Sequence, residues 1–350
     1  MEPFSQVELQ LAARNHGMPL EALRYPVTPA GLHYLLIHYD IPAVDPSAFA
    51  LEIGGRVGRP LTLSLDDLRK RPALELAVTM ECAGNGRALI SPRPLSQPWL
   101  SEAVGTASWR GTPLAPLLAE AAPAGDAVEV VFTGLDRGFE GEHELSFERS
   151  LPLEVAREEE LLLAYEMNGA PLLPQHGFPL RLVVPGWYGM ASVKWLTRIT
   201  VTDRPFEGYQ QRHAYRLRQH EEDEGTPLDR ILPRALLAPP GVPNFPTRDR
   251  TVAAGPTVLE GRAWSGFAPV AGVEVSTDAG ATWDAAELEP SPPSRFAWRG
   301  WRYDWQARPG VHVLCCRARD EAGNAQPDEA AWNLGGYANN GIQRVPVTVV

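Results

Sequence analysis

The chain has 350 residues, of which 32 are lysine or arginine and 43 aspartate or glutamate, giving a formal net charge of −11. That length predicts about two domains, and 44% hydrophobic with 21% charged residues is the make-up of a globular chain rather than a disordered one. The acidic balance argues against nucleic acid or an anionic membrane as the main partner, while leaving room for a locally basic pocket that holds a small anion.

No apolar run reaches the roughly 18 residues needed to span a bilayer. The opening MEPFSQVELQLAARNHGMP has no basic region followed by an apolar stretch, and no twin arginine. The expected compartment is the cytoplasm, or the periplasm if a leader has been lost. Cys82, Cys315 and Cys316 are too few and too oddly placed for a disulfide framework, which agrees with a reducing compartment.

Residues 1–45 read as an irregular N-terminal arm, punctuated by Pro3, Pro19, Pro26 and Pro29. The alternation in 49–53 predicts a strand. Ser64 followed by Asp67 predicts a capped helix start. Further strands are expected over 76–80, 127–132, 181–185 and 193–201, with helical stretches over 113–122 and 152–160. Strands and helices mixed without a strict βαβ rhythm predict an α+β fold.

Prolines at 233, 239, 240, 243 and 246 mark a boundary, so residues 46–235 and 236–350 are expected as separate domains. The second has short strands and turn chemistry, such as Asp278–Ala–Gly280. Its size and roughly seven strands predict an all-β immunoglobulin-like sandwich. Trp301, Tyr303 and Trp305 alternate on one face, whereas Phe296 and Trp298 have the opposite parity. A bulge at Gly300 would reconcile the two. The tryptophans here (264, 283, 298, 301, 305 and 332) read as core and interface packing.

Two groups of residues carry chemistry. Cys82 follows a strand and opens the turn CAGNGR at 82–87, where small residues let a bulky group approach. Its thiolate would be a soft metal ligand, with its pKa lowered by Arg87. On Cys82 alone, a packed free cysteine is the commoner outcome. The second group runs from His176 through Arg181 and Ser192 to Lys194. Arg181 and Lys194 sit in apolar strands, so they call for anionic partners: either a phosphate, or salt bridges with Glu166 or Asp203.

MECAGN at 80–85, LAYEMNG at 163–169, HGFP at 176–179, VKW at 193–195, VSTDAGATW at 275–283 and WNL at 332–334 together resemble the sulfite oxidase family of molybdenum enzymes, in order from about residue 45 to the C-terminus. The resemblance implies a mixed α/β molybdopterin-binding domain followed by an immunoglobulin-like dimerisation domain. It implies molybdenum and molybdopterin as cofactors, Cys82 as the metal ligand, and His176, Arg181, Ser192 and Lys194 as the pterin and phosphate site. Tyr215 resembles the family's active-site tyrosine. Arg87 would add positive potential near the substrate, and Trp99 would line the anion pocket.

Two positions depart from the family pattern. His38 stands where the family has arginine in a Phe-Val-Arg-Asn-His run, and Gly335 follows WNL where the family has arginine. Losing two guanidiniums removes bidentate recognition of a tetrahedral oxyanion. A protonated His38 would partly replace the charge, with affinity falling as pH rises through about 6.5. The function expected is oxygen-atom transfer at molybdenum. The leading form is oxidation of sulfite or a related small sulfur oxyanion by a homodimer, with electrons leaving to a separate acceptor of cytochrome type. The alternatives are a reductive oxotransferase acting on an S-oxide or N-oxide, and a molybdopterin-fold binding module without turnover.

Overall fold

The computed structural model describes residues 3–350. Among the described residues the fold is mostly β, with five short α-helices. No helix among the described residues is long and apolar enough to cross a membrane.

Two sheets build the N-terminal part. One has the strand order Leu61–Ser64, Ala50–Gly55, Leu196–Thr202, Glu129–Glu140, His143–Pro152. Ala50–Gly55 and Leu196–Thr202 pair in parallel, which brings residues 146 positions apart side by side. The other sheet joins Leu74–Glu81 to Val104–Pro113 and then to Leu162–Met167, against which Arg181–Val183 also pairs. Ser64 caps Leu65–Arg69 through a capping box with Asp67, as its spacing predicts. Leu114–Ala121 buries Leu114, Leu117, Leu118 and Ala121 against the core that Leu51, Ile53, Phe132 and Ile199 share.

Several local expectations are corrected. The N-terminal arm begins with a helix, Gln6–Arg14, whose Ser5 and Glu8 form a capping box. The buried Glu8 carboxylate holds Arg93 at 3.0 Å, which ties this helix to the body. The helix expected over 152–160 is a single turn, Leu153–Ala156. The long strands Val104–Pro113 and His143–Pro152 lack clean apolar alternation and escaped notice; both are supported by pairing with neighbours.

The proline-rich stretch is not all linker. Arg234–Leu237 is a strand paired with Gly255–Trp264, so it already belongs to the C-terminal sheets. Those sheets have four and six strands. Trp301 and Trp305 from the first enclose an apolar core with Val273, Val275, Cys316 and Val347 from the second. The expected bulge at Gly300 is absent, because Arg299–Ala307 pairs with Gly255–Trp264 without a register shift. Phe296 and Trp298 differ in parity because they have left the sheet and dock on the N-terminal part. The Thr79 amide donates to Phe296 O at 2.9 Å, and the Trp298 amide to Thr79 Oγ1 at 2.7 Å.

Candidate active site

Leu74–Glu81 ends where the chain turns at Cys82. The Cys82 amide donates to Ala103 O at 2.9 Å, while Asn85 N closes the turn on Cys82 O, also at 2.9 Å. Asn85 Oδ1 accepts from Ala103 N at 3.0 Å and locks the turn to the neighbouring strand. Gly86 is needed here for two reasons. Its φ is +87°, and a Cβ would lie 2.9 Å from Asn339 Nδ2. The Cys82 side chain is 7% exposed. Burial raises its thiol pKa, and Arg87 only partly offsets this, so the net shift opposes the lowering expected from sequence.

The second group is gathered by Pro174–His176, Arg181–Val183 and the loop to Lys194. Arg181 donates to His176 O at 3.1 Å and to Ser192 O at 3.2 Å, with its guanidinium 4.7 Å from the Trp109 ring centroid. Ser192 Oγ accepts from Val184 N at 3.0 Å. Lys194 Nζ donates to Leu36 O at 2.7 Å and Gln175 O at 3.3 Å. The salt bridges considered from sequence do not form: Glu166 pairs with Arg110 and Asp203 with Arg56. The buried Arg181 and the half-buried Lys194 are therefore held by carbonyl oxygens, and Arg181 Nε has no partner.

A single cavity joins the two groups. His38, Cys82, His176, Arg181, Ser192, Lys194 and Tyr215 all line it, whereas Arg87 and Trp99 do not. Trp99 is buried in the cluster behind Cys82. Arg87 donates to Gly335 O at 2.9 Å and Ser96 Oγ at 3.0 Å, with its guanidinium 4.9 Å from the Tyr337 ring centroid. Its Nε thus serves the junction with the C-terminal domain, while Nη1 is held by Ser96 and Gln97 of its own domain.

Tyr215, at φ +50°, brings its hydroxyl to 2.5 Å from His38 Nε2. His38 stacks on Phe147 at 4.7 Å, and Tyr337 packs on Tyr215 at 5.3 Å. Burial lowers the His38 pKa to about 3, assisted by the nearby charges of Lys194, Arg87 and Arg14. His38 is therefore a neutral imidazole at neutral pH, not the titrating cation expected from sequence. Gly335, where the family has arginine, leaves no room for a side chain. A Cβ there would lie 2.3 Å from the Tyr337 ring.

Three residues escaped the sequence reading. Asp136 lines the cavity with Oδ1 buried and unpartnered, and burial raises its carboxyl pKa. His33 lines it with Nε2 unpartnered. Arg149 lies behind the Tyr215 ring, its guanidinium carbon 5.7 Å from the centroid. A charged residue inside an apolar β run, as at Asp136, was the available signal for the first.

Among the described residues no three His, Cys, Asp or Glu side chains converge as a metal cage. A metal at Cys82 must bring its other ligands with it. The cavity suits a polar organic carrier for such a metal. Its lining residues supply a thiol, a guanidinium, an ammonium, a carboxyl group with an unpartnered oxygen, and imidazoles.

Comparison with known proteins agrees. An oxidoreductase molybdopterin binding domain matches residues 38–210, and a Mo-co oxidoreductase dimerisation domain matches 245–350. Mouse mitochondrial sulfite oxidase is 37% identical over 93% of this chain, which spans 62% of that protein's length. Chicken sulfite oxidase is 36% identical, with 91% of this chain covering 72% of it. Barley NAD(P)H nitrate reductase is 33% identical over 92% of this chain and 39% of its own. The crystal structure of the sulfane dehydrogenase SoxCD from Paracoccus pantotrophus superposes with a TM-score of 0.81 at 27% identity, covering 94% of this chain and 82% of that one. The chain belongs to the sulfite oxidase family, and its molybdopterin binding domain implies molybdenum carried by molybdopterin as the cofactor.

Proposed function

We propose that this chain catalyses oxygen-atom transfer at sulfur, oxidising sulfite or a related small sulfur oxyanion and passing the electrons to a separate, cytochrome-type acceptor. One observation carries the reading. A single cavity joins the Cys82 thiol to the cationic group at Arg181 and Lys194, on a chain similar to sulfite oxidases over most of its length.

The bound cofactor supplies two-electron redox chemistry at molybdenum. The chain's part is to bind, orient and exclude water. Cys82 supplies the thiolate, soft enough for molybdenum. Arg181 and Lys194 would meet the pterin's phosphate, with Ser192 and His176 completing the wall. Asp136 would accept from the pterin's N–H groups, and His33 lines the same cavity. Tyr215 would offer its hydroxyl to a substrate oxygen, with His38 Nε2 fixing the direction of that hydroxyl. Burial raises the Tyr215 pKa well above its ordinary value, so it stays a donor at working pH. Arg87 would act through potential rather than contact.

A second reading is removal of oxygen from an S-oxide or N-oxide. It is favoured by the neutral His38–Tyr215 pair and by the absence of Arg87 and Arg149 from the cavity wall. Such a wall suits an uncharged oxygen-atom donor as well as an anion.

The test is molybdenum and pterin content of purified protein, then sulfite-dependent dye reduction against reductant-driven S-oxide turnover. Protein holding molybdenum that turns over neither would leave the binding-module alternative.

The finer architecture belongs to the same proposal. Residues 46–233 form the cofactor domain, and the chain from the strand Arg234–Leu237 onward forms an immunoglobulin-like sandwich that builds a homodimer, in keeping with the matched dimerisation domain. Cys315 and Cys316 are adjacent, buried and free, which suits a reducing compartment.

A further inference from the structure

The turn that presents Cys82 is held from outside its own domain. Glu81 and Ala83 flank Cys82 in sequence, and both are anchored by the C-terminal part of the chain. Glu81 Oε1 accepts from Arg234 at 2.8 Å, and Oε2 accepts from Trp264 Nε1 at 2.8 Å. The Ala338 amide donates to Ala83 O at 2.8 Å. Asn339 Nδ2 donates to Gly86 O at 2.7 Å, and Arg87 Nε reaches Gly335 O at 2.9 Å.

These contacts form one network. The Arg234 nitrogen that meets Glu81 also donates to Asn339 O at 2.9 Å. Glu81, Arg234 and Asn339 are all buried. The turn closes on its own carbonyls at Cys82 and Gly84, but Ala83 O is answered from the second domain. A buried carbonyl without a donor is costly, so the turn and the 335–339 segment specify each other's shape.

We propose that the C-terminal domain aims the Cys82 thiolate, with Asn339 as the positioning residue that couples Arg234 and Glu81 to the backbone of the 82–87 turn. The direction of the Cα–Cβ bond of Cys82 follows from its own backbone, which Glu81 and Ala83 fix on either side. A thiolate that meets a metal tolerates little misalignment, and displacement of about 1 Å in a catalytic group can cost on the order of a hundredfold in rate. The inference rests on the proposed role of Cys82 as metal ligand.

The test uses molybdenum-loaded full-length protein carrying Asn339→Asp, which keeps the side chain's shape but replaces the donor facing Gly86 O with an acceptor. The thiolate-to-metal charge-transfer absorption should shift. At wild-type molybdenum and pterin content kcat should fall about tenfold or more, with KM within about twofold. Trp305→Leu serves as a stability control, because it disturbs the C-terminal core without touching the turn. It should lower Tm and leave the band and kcat in place. An unchanged band and kcat in fully loaded Asn339→Asp would overturn the inference, as would an equal band shift in Trp305→Leu. If Asn339→Asp does not accumulate folded, Asn339→Ser is read in the same way. Cys82→Ser separates the two levels: it should abolish the band, and if it does not, the ligand role itself has failed rather than the positioning.

Discussion

The Tyr215 hydroxyl and His38 Nε2 lie 2.5 Å apart inside the cavity, with the imidazole stacked on Phe147 and the phenol on Tyr337. This pair occupies ground where a guanidinium was expected to be missed and a charged histidine to replace it. The histidine is instead held neutral. Its pKa of about 3 follows first from burial and then from the like charges of Lys194, Arg87 and Arg14.

Sulfite KM should therefore show no histidine inflection between about pH 5.5 and 8.5, where an unperturbed imidazole at about 6.5 would give one. His38→Gln should keep the same pH profile, with lower kcat from the loosened Tyr215 hydroxyl. A wild-type KM that climbs through pH 6.5 and loses that climb in His38→Gln would restore the charged histidine.

Stability of the cofactor-free protein should fall with acid. His33, His38 and His176 have native pKa values lowered by burial to about 4, 3 and 2. Their unfolded value is near 6.5, so below that pH the unfolded chain binds protons that the native state refuses. Stability is fully present above about pH 6.5 and is lost as pH drops toward the native values. At pH 5 each histidine costs on the order of 2 kcal/mol. Asp136, raised by burial, works in the opposite direction over part of this range. Urea midpoints at pH 5 and pH 7 check the balance, and equal midpoints would refute it.

Cys82→Ser should remove turnover with little loss of fold, because the change is nearly isosteric and a hydroxyl is a poor ligand for a soft metal. Pterin should remain, since Arg181, Lys194 and Ser192 are untouched. Activity assays with pterin extraction decide this, and wild-type turnover would exclude Cys82 from the metal.

Gly335→Arg should not restore sulfite affinity, alone or with His38→Arg. Its Cβ would meet the Tyr337 ring at 2.3 Å, and Gly335 O already accepts from Arg87. Overpacking of this kind costs about 1–3 kcal/mol, which thermal melts would show. A variant of unchanged Tm and lowered KM would mean that Tyr337 gives way.

Trp298→Ala should weaken the union of the two domains. The indole donates to Pro26 O at 2.8 Å and packs at 6.2 Å from Trp264. Loss of a buried tryptophan costs about 3–5 kcal/mol. Calorimetry should then show the single transition broadening or splitting, and an unaltered transition would count against the docking role.

Much of the site was legible residue by residue. Cys82 at a strand end, Ser64 with Asp67, and the strands around 49–53 and 193–201 follow from local pattern, because caps and alternation depend on neighbours a few positions away. The helix Gln6–Arg14 carries the same kind of signal in Ser5 and Glu8, but prolines on either side mask it. Arg181 and Lys194 were recognisable as charges inside apolar strands, though whether carboxylates answered them was left open.

What the tertiary structure alone decided is which groups face the cavity and in which charge state. Arg87 looked available beside Cys82, yet residues 248 and 250 positions further along, Gly335 and Tyr337, take up its guanidinium. His38 looked like a titrating replacement for arginine, yet burial beside Phe147 and Tyr215 keeps it neutral. The physical reason is the same in each case. Local pattern reports the backbone's preferences within a few residues, whereas desolvation and hydrogen-bond satisfaction depend on whatever the folded chain brings to the other side of the group.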